Sequence, residues 1–238
     1  MRRSIFPDSL CQPSSCCLRG GASRRVFCIS SFRKGTVMTI QVEDVSKAFV
    51  GKSVLSHFNL EIASDTCYAV VGEKGSGKTT LCRLLLGLER PDSGRIRLLG
   101  DYKYAGVNAG AVFEEDRLFE NMTAVENAAL ISKRLSEKIA AEELSKLLPK
   151  ERLTVPVSDL TEAERRLVCI VRATLVPSDV LVFDEPFTGL TKEQRKSALD
   201  YVLSVKGTPP LVITSETYEG LSFAKKVDIH EGIALQQV

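Results

Sequence analysis

Gly72-Glu73-Lys74-Gly75-Ser76-Gly77-Lys78-Thr79 fits the pattern G-x-x-x-x-G-K-[ST] at every specified position. The short, mostly apolar run Cys67–Val71 precedes it, and Thr79–Leu88 follows with apolar helical spacing. A strand feeding a helix through a glycine-rich turn is the context in which such a loop cradles phosphate. The glycines allow backbone conformations closed to other residues and let the chain approach a phosphate closely. Successive backbone N–H groups then point into one concavity backed by a helix N-terminus. Lys78 adds a mobile positive charge for the outer phosphates, and Thr79 offers a hydroxyl to Mg2+. Gly72 to Thr79, with Thr80, are therefore the candidate phosphate-binding residues.

The second signal is Val180-Leu181-Val182-Phe183-Asp184-Glu185-Pro186, an apolar strand that delivers two acids to its carboxyl end. Taken alone, it also suits an ordinary strand terminus facing water. Beside a phosphate loop, Asp184 joins Thr79 as a candidate Mg2+ ligand, directly or through water. Glu185 becomes the candidate catalytic base next to an attacking water.

Working outward, Thr39–Val45 and Ser53–Ile62 alternate as half-buried strands, and Pro91-Asp92-Ser93-Gly94 reads as a turn before the strand Arg95–Leu99. Ala111–Phe113 is a brief strand, Thr123–Leu148 carries helical spacing, and Thr161–Leu175 is a strong helix. Lys192–Val205 reads as a helix, Leu211–Thr214 as a strand and Tyr218–Lys225 as a short helix. Strands alternating with helices predict a parallel sheet covered on both faces.

The chain has 238 residues, 44% hydrophobic and 26% charged, which suits one large α/β domain or a domain with a small insert. No apolar run approaches the roughly 18 residues a spanning helix needs. Global disorder, a coiled coil and a collagen-like fibre are excluded by composition. The net charge of +2 divides unevenly: residues 1–37 carry seven Lys/Arg against Asp8, while the rest carries 25 basic and 29 acidic residues. The body is thus mildly acidic and offers no stripe for nucleic acid. Cys11, Cys16, Cys17 and Cys28 lie in the basic N-terminal stretch, and Cys67, Cys82 and Cys169 are scattered in apolar contexts, a reducing-compartment pattern. Residues 1–37 read as a transit peptide, a disordered tail, or a stretch upstream of a true start at Met38, the reading preferred because a patterned strand begins at Thr39.

The order and spacing of these motifs from about Met38 to about Glu231 resemble the ATP-binding subunit of an ABC transporter. Val112–Phe119 and Met122–Asn127 resemble the Q-loop region of importer subunits, most of all the nitrate/sulfonate/taurine group. The resemblance implies an α/β P-loop NTPase fold of ABC type over residues 38–238, a mixed sheet with flanking helices and a short helical subdomain at about 115–175. It implies ATP and Mg2+ as cofactors. It implies as partners a second ATPase subunit, an integral membrane permease docked near Glu115–Leu148 and an extracytoplasmic solute-binding protein. The expected place is cytoplasmic, peripheral on the inner face of the cell membrane. Phe49 stands at the distance before Lys78 expected of an aromatic that stacks on adenine; an ordinary core aromatic is the competing reading.

The departures from the family pattern are specific. Where such families carry LSGGQ, this chain has Leu160-Thr161-Glu162-Ala163-Glu164. In the resemblance this segment contacts the outermost phosphate of ATP held by the partner subunit. A unit-charge pair about 5 Å apart, at an effective dielectric near 20, costs roughly 3 kcal/mol, so the two carboxylates should repel it. Thr161-x-x-Glu164 also spells a capping box, so the helix N-terminus is expected to satisfy itself. Glu114 replaces the Q-loop Gln, Thr191 stands where the D-loop has Asp, and Ser215 replaces the switch His. The histidines, His57 and His230, lie elsewhere. Two functions follow: an ATPase subunit driving small-solute import through a separate permease, or a nucleotide-binding subunit or regulator deficient in hydrolysis.

Overall fold

The computed structural model describes residues 39–99, 108–133 and 135–230. The N-terminal stretch 1–37 and Met38 lie outside them.

Two sheets form. β1 (Thr39–Phe49) pairs antiparallel with β2 (Lys52–Ala63) and with β4 (Ser93–Leu99), giving a three-stranded sheet in the order β2-β1-β4. β3 (Cys67–Val71), β5 (Ala109–Val112), β6 (Val180–Phe183), β7 (Leu211–Ser215) and β8 (Lys225–Asp228) make a second sheet in the order β5-β6-β7-β3-β8, parallel throughout. The expected parallel sheet is therefore the second of two, and the N-terminal hairpin stands apart because β1 and β2 are joined by only Val50 and Gly51, a span that forces antiparallel pairing.

Strand period then divides the core. On β6, Val180 and Val182 face the antiparallel sheet and α1 (Lys78–Leu85), while Leu181 and Phe183 face the other side. β3 does the same, with Tyr68 and Val70 opposed to Ala69. The second cluster gathers α2 (Ala124–Ala129), α3 (Glu137–Leu144), α4 (Glu162–Thr174) and α5 (Lys192–Val205).

Three expectations shift. The helical stretch Thr123–Leu148 is broken into α2 and α3, each opened by its own cap, Thr123 and Ser136. Ser93 and Gly94, read as a turn, already belong to β4. Tyr218–Lys225 is not a helix: Leu221 N donates to Tyr218 O, Ala224 N to Leu221 O, and the Tyr218 hydroxyl to Ala224 O. Gly220 at φ 72° interrupts this stretch, and Lys225 already opens β8.

Candidate nucleotide site

The carboxyl ends of β3, β6 and β7 open onto a cavity of about 540 Å³. Ligands of open α/β sheets bind at this end of the strands. The loop after β3 enters it first. Gly77, the N-cap of α1, has φ 105°, and a Cβ there would stand 2.9 Å from both Val54 Cγ1 and the Val54 carbonyl. Gly72 has no room for a Cβ either, because Ile229 Cγ2 and Ser76 Oγ already occupy that space. Lys74, Gly75, Gly77, Lys78, Thr79 and Thr80 line the cavity; Gly72, Glu73 and Ser76 shape the loop behind it. α1 has no side-chain cap and no acid in its first turn, so its orphan N–H groups are left for a ligand.

Lys78 is only 6% exposed. Its ammonium donates to Gly72 O at 2.7 Å and Glu73 O at 3.0 Å, and pairs with Glu185 Oε1 at 3.2 Å. The lysine is thus folded back onto its own loop, aimed at the cavity and held by groups that a phosphate would replace.

The two acids after β6 are joined by Thr214, the fully buried penultimate residue of β7. Its hydroxyl donates to Asp184 Oδ1 at 2.7 Å and accepts from Glu185 N at 3.0 Å. Asp184 is 1% exposed, and its Oδ2 has no hydrogen-bond partner. An orphaned buried carboxylate oxygen fits a cation; Asp184 itself is not in the cavity wall but is tied to it through Thr214, and Thr79 in that wall offers a second oxygen. Glu185 adopts φ 45°, a left-handed conformation costly for a non-glycine residue. Burial pushes its carboxyl above the ordinary value of 4.5, against the Lys78 ammonium, which lowers it; Glu216 and Asp184 add to the rise.

Glu114 and Ser215 also line the cavity, as do Phe187, Thr188 and Arg195. Arg195 lies 5.2 Å over the Phe187 ring and donates to Glu219 O at 2.5 Å. Thr191 caps α5 in a capping box with Gln194 and is absent from the cavity wall. Phe49 is not part of that wall either. It ends the hairpin whose Val54 is, and its 41% exposure with Lys47 5.2 Å from its ring sets aside the reading as a core aromatic.

The N-terminus of α4 is closed by side chains. Thr161 Oγ1 accepts from Glu164 N at 3.2 Å, and Glu164 Oε2 accepts from Thr161 N at 2.8 Å. Arg152 then grips the same carboxylate at both oxygens, Nε to Oε1 and Nη2 to Oε2, each 2.8 Å. These bonds hold the Glu164 carboxyl down at about 2. The expectation of two bare carboxylates is corrected: Glu164 is neutralised, and the unit-charge repulsion applies to Glu162 alone. Glu162 is exposed and leans on Gly189, where a Cβ would stand 3.2 Å from its Oε1. Ala163 packs between them, part-buried, with no polar role.

Sequence reading missed Arg152, Thr214 and Arg195. Thr214 had a signal, a polar residue ending an apolar strand; Arg152 had none, because it reaches Glu164 across 12 positions.

Residues 55–188 match the family model described as ABC transporter. The chain is 36% identical over 219 residues to the sulfate/thiosulfate import ATP-binding protein CysA of Caulobacter vibrioides, covering 84% of this chain and 64% of that protein. It is 31% identical over 213 residues to the spermidine/putrescine import ATP-binding protein PotA of Fusobacterium nucleatum, covering 84% of this chain and 56% of that one. The chain thus spans less than two thirds of the length of these relatives. Its fold matches the solved dimeric ATP-binding cassette in a post-hydrolysis state bound to ADP and Pi, with a TM-score of 0.71 at 20% identity over 81% of this chain and 95% of that one. These relatives do not specify the nitrate/sulfonate/taurine group.

Proposed function

The chain belongs to the ABC transporter family of ATP-binding domains, and from that premise we propose that it is the ATP-hydrolysing subunit of a small-solute importer. The observation that carries the reading is the convergence of Lys78, Thr79 and Glu185 on one cavity at the strand ends, with Asp184 tied to its wall through Thr214. The open N–H groups of α1 and the Lys78 ammonium hold the phosphates of ATP. Lys78 gives up Gly72 O, Glu73 O and Glu185 to do so, which frees the Glu185 carboxylate. Water attacks the terminal phosphorus, its proton passes to Glu185, and the bond to the ADP oxygen breaks. Thr214 holds both acids in register. Thr79 and Asp184 hold Mg2+, which when bound neutralises charge on the phosphates. Phe49 is assigned to adenine, from the hairpin that carries Val54.

The partners in this reading are a second ATP-binding subunit, an integral membrane permease and an extracytoplasmic solute-binding protein. Among the described residues no helix is long and apolar enough to cross a membrane. The place proposed is the inner face of the cell membrane, held peripherally.

A second reading, a subunit that binds ATP but hydrolyses it poorly, is favoured by the closed N-terminus of α4. Thr161 and Glu164 take up two of the backbone donors there and Arg152 covers the Glu164 carboxylate, and Glu114 and Ser215 stand in the cavity where the family pattern has Gln and His.

Steady-state MgATP turnover of the purified chain, with Lys78→Ala as control, separates them. Turnover lost in Lys78→Ala supports the ATPase. Lys78-dependent binding without turnover supports the second reading, and absence of binding overturns both.

A further inference from the structure

Helix α4 grips one short stretch of chain through four side chains of a single face. Arg166 donates Nη1 to Phe113 O at 2.6 Å and Nη2 to Glu114 O at 2.5 Å. Cys169 Sγ reaches Asp116 O at 2.9 Å, and Arg172 Nη1 reaches Arg117 O at 2.9 Å. The Asp116 carboxylate stands 3.2 Å from Arg165 Nε and 3.4 Å from Arg166 Nη2. Positions 165, 166, 169 and 172 share one face of the helix, so these contacts form one seam.

Within that seam Arg166 is the buried arginine, 3% exposed on a helix otherwise packed with Leu167, Val168, Ile170 and Val171. Its Nε has no hydrogen-bond partner. An apolar residue would fill this place with no desolvation cost, so packing does not explain a guanidinium here. The planar fork does: it spans two successive carbonyls and keeps an edge for Asp116, a geometry one ammonium cannot copy. The stretch it holds begins immediately after β5, and its second residue, Glu114, lines the nucleotide cavity.

We propose that Arg166 is a positioning residue for that cavity, fixing the carbonyls of Phe113 and Glu114 and so setting where Glu114 stands in its wall. Arg166 touches neither nucleotide nor water; it acts through residues 113–117. In consequence α4 and the wall bearing Glu114 move as one body, and nucleotide seated against Glu114 is felt along α4. The inference rests on the reading of the cavity as a nucleotide site.

The test uses the full chain and two readouts. Amide hydrogen exchange over residues 113–117, without nucleotide, reads the strut itself. Arg166→Lys is expected to speed exchange there on the order of tenfold, as befits loss of a charged hydrogen bond, with the exchange of β3 and β6 unchanged. Titration with a fluorescent ATP analogue and Mg2+ reads the coupling. Arg166→Lys is expected to weaken binding about tenfold in the wild-type background and less than about twofold when Glu114 is already Ala. Unchanged exchange, or an equal loss of affinity in both backgrounds, overturns the proposal, as does a lowered melting temperature with neither change. If Arg166→Lys does not fold, Asp116→Asn keeps the guanidinium but removes its anchoring charge. The same changes are then expected at smaller size, and their absence overturns the proposal. A wild-type chain that binds no analogue sinks the nucleotide reading and with it the coupling, whereas exchange still decides whether Arg166 holds the strut.

Discussion

Two helix N-termini in this molecule are treated in opposite ways. α1 begins at a glycine with no side-chain cap, no acid in its first turn and a buried lysine folded over it. α4 begins with a reciprocal Thr161–Glu164 capping box, two acids in its first turn and an arginine across the outer carboxylate. Both ends carry the same partial positive charge and the same orphan donors. α1 leaves them without a side-chain cap, and α4 spends part of them internally, on the Thr161–Glu164 box. An anion site is therefore made by withholding caps, and a helix can lose one by acquiring them.

The widest break in that comparison comes from Lys78→Ala. The uncapped N-terminus then lacks its mobile charge, and MgATP binding in a fluorescence titration is expected to fall below detection, turnover with it. Retained binding would mean that α1 is not the anion site. Glu185→Gln comes next. Nucleotide binding is expected to persist while turnover drops by roughly 10²–10⁴-fold, the usual worth of a positioned base. Because burial raises the Glu185 carboxyl above 4.5, turnover of the wild type should fall as pH is lowered through that raised value, and this acid limb should vanish in Glu185→Gln. A pH profile identical in both chains would remove Glu185 from the role.

The smallest effect sharpens the other half. Glu164 titrates near 2 in the folded chain against 4.5 when unfolded. A lowered carboxyl contributes stability that is complete above the unfolded value and lost as pH falls from 4.5 toward 2. Solvent screening at this partly exposed pair leaves about 1–2 kcal/mol of that contribution. Urea unfolding of the wild type at pH 7 and at pH 3 should therefore differ more than unfolding of Glu164→Gln. With Arg152→Ala the folded value moves back toward 4.5, so the loss should be smaller and should be complete at a higher pH. Matching urea midpoints for wild type and Glu164→Gln at both values would show that the cap is idle.

Much of this was legible from local pattern. The loop Gly72–Thr79, the strand Val180–Phe183 with its two acids, the helix Lys192–Val205 and the Thr161–Glu164 box all depend on residues a few positions apart. The short helix expected over Tyr218–Lys225 failed because its apolar spacing is met by successive turns around Gly220 and by an early β8. Phe49 was ambiguous for a related reason: spacing placed it near the loop, but only the hairpin register shows it half-exposed at the tip and outside the cavity wall.

The glycine-rich loop after β3, the acids at the end of β6 and the self-capped start of α4 follow from neighbours in the chain, because backbone conformation and capping are short-range properties. Which charges meet depends instead on the packed fold. Thr214 between Asp184 and Glu185, Arg152 on Glu164 and Arg166 on Phe113 and Glu114 join residues 12 to 53 positions apart. Such pairs are set by sheet order and by how α4 lies against the stretch after β5, and burial then makes them strong: a charge taken out of water must find its partner wherever the fold has brought one.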